Sequence, residues 1–110
     1  MSKTSDNLIY KAAGILGIAV AGEAIGSVEY DTIKGCVQPV FDEVADIVSI
    51  DPEQIPDRYF LTIARLLAVH AAAEFSSAQL DVDAIRQYEQ RLRYLAAPIV
   101  TREHLKTDYF

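Results

Sequence analysis

One cysteine, Cys36, is all the thiol chemistry this chain has. A lone thiol closes no intrachain disulfide and builds no cysteine metal cage. Basic residues are also scarce: 10 Lys and Arg stand against 16 Asp and Glu, a net charge of −6 at pH 7. A general nucleic-acid clamp needs a basic surface to displace counterions, so the charge argues against that class. Histidine occurs twice, at His70 and His104. With no second His or Cys at ligand spacing, neither marks a metal site. The chain has too few candidate groups for most catalytic machinery. There is no internal repeat, no low-complexity segment and no alternation of period two that would mark a strand.

Long hydrophobic runs are missing as well. The most apolar stretch, 12–22, is eleven residues, whereas a bilayer span needs about 20. Lys3 and Lys11 before this stretch, and Ala19-Val20-Ala21 near its end, give it the look of a secretory leader. Asp6 and Asn7 interrupt the basic region, so the expectation is a soluble, unprocessed chain.

What remains is a chain of 110 residues, 51% of them apolar. That is one domain with one compact core. Charge is unevenly spread. Residues 1–55 hold three lysines and nine acids, while residues 56–110 hold seven bases and seven acids, including all six arginines. A small domain with an acidic half and an arginine-bearing half can meet copies of itself head to tail. Composition alone favours the plainer reading, an ordinary solvated surface.

Four helices are expected. Thr4, Ser5 or Asp6 caps the first, with Leu8, Ile9, Ala12, Ala13 and Leu16 at helical spacing and Gly17 as its stop. The small, apolar 18–27 segment, punctuated by Gly22 and Gly26, reads as a packed turn. A second helix opens near Ser27 and carries Ile33, Val37, Val40, Phe41, Val44, Ile47 and Val48, ending at Asp51-Pro52. Pro39 inside it removes a donor and crowds the Gly35 carbonyl, which predicts a kink or break near 35–39.

Pro56 opens the strongest helix, to about Phe75. Tyr59, Phe60, Ile63, Leu66, Leu67, His70 and Ala71 form one wide apolar stripe along it. Its length is about 30 Å at 1.5 Å per residue. Ala68, Ala71, Ala72 and Ala73 leave its second half thin enough for close helix approach. Asp81 or Asp83 caps the last helix, whose Ile85, Tyr88, Leu92 and Leu95 keep the three-four steps of a packing seam until Pro98. The fold class is therefore all-α: a small four-helix domain over 1–98 with a kinked second helix, and an extended C-terminal arm over 99–110.

No residue pattern here names a reaction. His70 lies on the apolar stripe and reads as a satisfied core or interface histidine. Cys36 reads as a small buried hydrophobe. Gly14, Gly17, Gly22 and Gly26 follow no phosphate-binding pattern. Asp42, Glu43 and Asp46 stand near the end of the second helix, where acids oppose the macrodipole, with Asp51 and Glu53 just beyond. Two readings fit them: a solvated face, or a face meeting basic groups of a neighbouring copy. Arg86, Arg91 and Arg93 on the fourth helix are the candidate partners; Glu89 and Arg93 can also pair within it. The arm carries Arg102, His104, Leu105, Tyr109 and Phe110 in a stretch with no period, and such large apolar groups suit docking better than solvation.

The order of these pieces resembles the head-to-tail adaptors of short-tailed phages, also called tail accessory, head completion or packaged-DNA-stabilisation proteins. The resemblance rests on DNLIYKAAGILGIAVAGE, then VEYDTIKGCVQPVFDEVADI, then IPDRYFLTIARLLAVHAAAEF and a final Tyr/Leu/Arg helix, about residues 5–97. Leu16-Gly17 followed by Ala21-Gly22-Glu23, and Ile-Pro-Asp opening the third helix, carry it most closely. Pro39 and the short arm depart from the family pattern. The resemblance implies a structural virion protein rather than an enzyme, with no cofactor. It would form a ring, usually of twelve copies, beneath the portal protein at the head-tail junction, after assembly in the host cytoplasm. The ring would extend the channel, seal packaged DNA without reading its sequence, and seat a tail or nozzle protein, with no membrane contact. It also implies an arm that reaches the portal. A net-negative channel lining fits DNA that slides rather than sticks. Two other classes stand beside this one. A dimeric regulatory or DNA-binding helical module would need a basic recognition helix, for which Arg86, Arg91 and Arg93 are the candidates. A small helical enzyme would need a pocket with convergent polar groups.

Overall fold

The computed structural model describes residues 2–18, 25–76 and 79–97. Two segments with an expected structure lie outside them: the central part of the 18–27 turn and the arm over 99–110.

Helix α1 spans Ser5–Leu16. Thr4 caps it reciprocally: its hydroxyl accepts the Asn7 N–H, and the Asn7 side-chain oxygen accepts the Thr4 N–H at 3.0 Å. Two otherwise orphaned donors are satisfied in this way. Gly17 ends the helix at φ 79°, a left-handed conformation that an L side chain adopts at a cost, and the Ile18 N–H reaches back to the Ala13 carbonyl.

Helix α2 spans Ser27–Glu43 and continues through Pro39, so of the kink or break expected near 35–39 the break does not occur. The proline leaves the Gly35 carbonyl without its i+4 donor. Both residues are exposed, so water can serve that carbonyl, and the missing Cβ of Gly35 eases the crowding. The helix is also shorter than its apolar spacing predicts. Val44 is its cap, and Ile47 and Val48 belong to the turn that follows, where their N–H groups both donate to the Val44 carbonyl at 2.9 Å. Apolar spacing continues past the helix because these side chains still pack on the core.

A two-residue strand, β1 (Ser2–Lys3), pairs antiparallel with β2 (Ile55–Pro56). Four residues in all are too few to leave an alternating signal in the sequence. Ile55 is fully buried there. Pro56 lies just before helix α3, Asp57–Ser76, rather than inside its first turn. Helix α4 covers Val82–Ala96, capped by the Asp81 carboxylate, which accepts the Ala84 N–H at 3.1 Å.

Helix α3 is the centre of the domain, packed against α1, α2 and α4. Ile63, Leu66, Leu67 and Ala71 are buried as the stripe predicts. Thr62, Ala64 and Ala68 are buried too, so the helix is covered on more than one side. Its alanines permit this by letting neighbouring backbones come close. Leu8, Ile9, Ala12 and Ala13 of α1 and Ile33, Val37, Val40 and Phe41 of α2 complete the core. Helix α4 rests on α3 and buries one residue fully, Leu92.

Candidate functional site

Helices α2 and α4 both pack against the central helix α3. Helix α2 carries Glu29, Asp31, Asp42 and Glu43 against Lys34. Helix α4 carries Arg86, Arg91 and Arg93 against Asp83 and Glu89. All three of these arginines are exposed, as are Asp42, Glu43 and Asp46. The charge asymmetry of the two halves of the sequence is therefore carried by exposed side chains on two different helices.

The acids have separate local roles. Asp42 accepts the Gln38 side-chain amide at 2.9 Å, one turn back along α2. Glu43 Oε2 stands 3.2 Å from His70 Nε2 and ties the end of α2 to α3. The His70 side chain is 16% exposed and that of Glu43 58%. This is the satisfied histidine expected from its place on the stripe. Asp46 lies beyond the end of α2 in the following turn, so it does not stack on Asp42 along one helix face. On α4, the Arg91 guanidinium lies 5.2 Å from the centre of the Tyr94 ring, a cation–π pair on a half-exposed tyrosine.

An open groove of about 550 Å³ runs between α2 and α3. Gly35, Cys36 and Pro39 line it from α2, His70, Ala73 and Glu74 from α3, and Leu80 from the α3–α4 connection. A Cβ added to Gly35 would meet nothing within 4 Å, so the floor at that point is open space. Burial pushes the Cys36 thiol up from its ordinary value, and the Glu74 carboxylate pushes it further. The thiol is thus protonated and poorly nucleophilic, which does not suit a catalytic cysteine. Sequence reasoning placed Cys36 and His70 singly and did not bring them together. Gly35 and Pro39, read only for the kink or break that Pro39 would cause, were the signal that a depression lies beside them.

A second cluster joins α1 to α2. The Tyr30 hydroxyl donates to Asp6 at 2.6 Å, and the Tyr10 ring stands tilted against Tyr30 at 6.1 Å. The bond to Asp6 holds the Tyr30 phenol above its ordinary pKa. Ser5 donates to Glu53 at 2.6 Å and fastens the start of α1 to the loop before β2.

Among the described residues no group of three or more His, Cys, Asp or Glu could hold a metal ion, and no helix is long and apolar enough to cross a membrane. The five arm residues, Arg102, His104, Leu105, Tyr109 and Phe110, lie outside the described region. No protein-family model, curated protein or solved structure matches the chain.

Proposed function

We propose that this chain is a structural ring-forming adaptor at the head-tail junction of a short-tailed phage, seated beneath the portal. The observation that carries the reading is that two different helices carry exposed charge of opposite sign: Asp42 and Glu43 on α2, with Asp46 just beyond it, and Arg86, Arg91 and Arg93 on α4. A subunit with two unlike faces joins its neighbours by a heterologous contact, and such contacts close into rings. The helix order and small-residue pattern shared with the phage adaptors supply the place of that ring. Copies would extend the DNA channel and offer a platform to a tail or nozzle protein, and the acidic surplus would let packaged DNA slide past.

The test is charge reversal. Asp42, Glu43 and Asp46 changed together to Lys should weaken ring formation while circular dichroism shows the helices intact, because all three are exposed. Electron microscopy that finds undiminished rings from this variant would show that those acids make no contact with a neighbouring copy.

A further inference from the structure

The α2–α3 groove is rich in acceptors. Glu74 lines it, the Glu43 carboxylate stands against its His70 wall, and the Gly35 carbonyl receives no N–H from Pro39. Its floor, by contrast, is apolar or small: the prolyl ring, Ala73 and Leu80. Such a surface suits a flat, weakly hydrated cation with several donors, which is the chemistry of a guanidinium. At about 550 Å³ it also has room for more than one side chain.

A matching guest is present on the same chain. Arg91 and Tyr94 sit one turn apart on the exposed side of α4, already stacked. We propose that the Arg91–Tyr94 pair of one copy seats in the α2–α3 groove of the next, with the guanidinium on Glu74 and the Gly35 carbonyl and the tyrosine ring against Pro39 and Leu80. This rests on the ring reading and names the contact that makes the ring. Within a copy, Arg91 lies about 14 Å along α4 from its start beside the groove, so seat and guest occupy different places and the contact runs head to tail. Tyr and Arg are also the residues that most often anchor interfaces, and pre-stacking lowers the entropy lost on docking.

Cys36 allows a direct test, since it lies in the groove and has no competing thiol. Gln87 is exposed and lies on the Arg91–Tyr94 side of α4, four residues before Arg91. The full-length Gln87→Cys protein, concentrated to the millimolar range, is treated with a short bis-maleimide at an alkaline pH where a monofunctional maleimide labels Cys36 fully, and the linked peptides are identified by mass spectrometry. The expected product is a ladder of dimers, trimers and longer chains joined between residues 36 and 87, because each copy offers one seat and one guest. Arg91→Glu in that background should reduce the ladder at least tenfold, Glu74→Arg alone likewise, and the two together should restore it. Assembly with links only between two copies of residue 87 would overturn the seat while leaving a ring open. A chain that stays monomeric and unlinked at millimolar concentration would overturn the contact itself. A swap that fails to restore the ladder, with both single variants folded, would overturn the Arg91–Glu74 pairing.

Discussion

Leu67→Ala tests whether α3 is the centre of this domain. Leu67 is fully buried on a helix that packs against three others. The substitution removes three carbons, and at about 0.8 kcal/mol each their transfer accounts for about 2.4 kcal/mol. The cavity adds to this by about 1 kcal/mol for each ~40 Å³ that stays open. With helices on several sides of α3, no one neighbour can move in to fill the space. The loss should therefore be about 3–4 kcal/mol, inside the ~2–5 kcal/mol range of such substitutions. A loss of that size lowers the thermal midpoint by roughly 12–32 °C in a domain near this size. Leu61→Ala is the control, on the same helix with Leu61 42% exposed, and it should stay within about 0.5 kcal/mol. Urea unfolding followed by circular dichroism measures both. Equal losses for the two variants, or less than about 1 kcal/mol for Leu67→Ala, would refute the central position of α3.

Three further outcomes follow from local geometry. Gly17→Ala should destabilise by about 1 kcal/mol, since φ 79° disfavours any Cβ although the surrounding space is open; an unchanged urea midpoint would count against the left-handed cap. Tyr30 should ionise above the ordinary tyrosine value, read by ring-labelled NMR, and Asp6→Asn should lower it. Its folded pKa is raised, so the stability it contributes is present below pH 10.0 and is lost as pH climbs through the folded value; a Tyr30 midpoint indifferent to Asp6→Asn would show that the bond does not form in solution. Cys36 should alkylate with a rate–pH midpoint above that of free cysteine, and Glu74→Gln should bring it part of the way back, because burial is the larger cause and Glu74 the smaller. A midpoint at or below that of free cysteine would mean the thiol is not buried against α3.

Much of this fold was legible because each helix carries its own punctuation. Thr4, Gly17 and Asp81 act where capping chemistry places them, and the α3 stripe predicted Ile63, Leu66, Leu67 and Ala71 as core. Three features were not legible. Apolar spacing continues through Ile47 and Val48, so periodicity alone overran the end of α2; a turn can bury side chains as a helix does. The β1–β2 pairing spans too few residues to show a period, and it is fixed instead by the approach of the N-terminus to Ile55. The groove escaped because a depression is made by side chains that are small or absent, here Gly35 and Ala73, contributed by elements far apart in sequence. The charge division was visible in the sequence, and the structure adds that the acids of α2 and the arginines of α4 are exposed. His70 sat on the stripe as expected, yet its partner Glu43 lies 27 positions away and no local pattern links them.

The mass of the native particle, measured by light scattering with the chain alone and then mixed with portal protein, tests the adaptor reading most directly. The account predicts a monomer at micromolar concentration that gathers into a ring of many copies on the portal. A tight dimer whose mass is the same with and without portal would contradict it and favour a dimeric regulatory module instead.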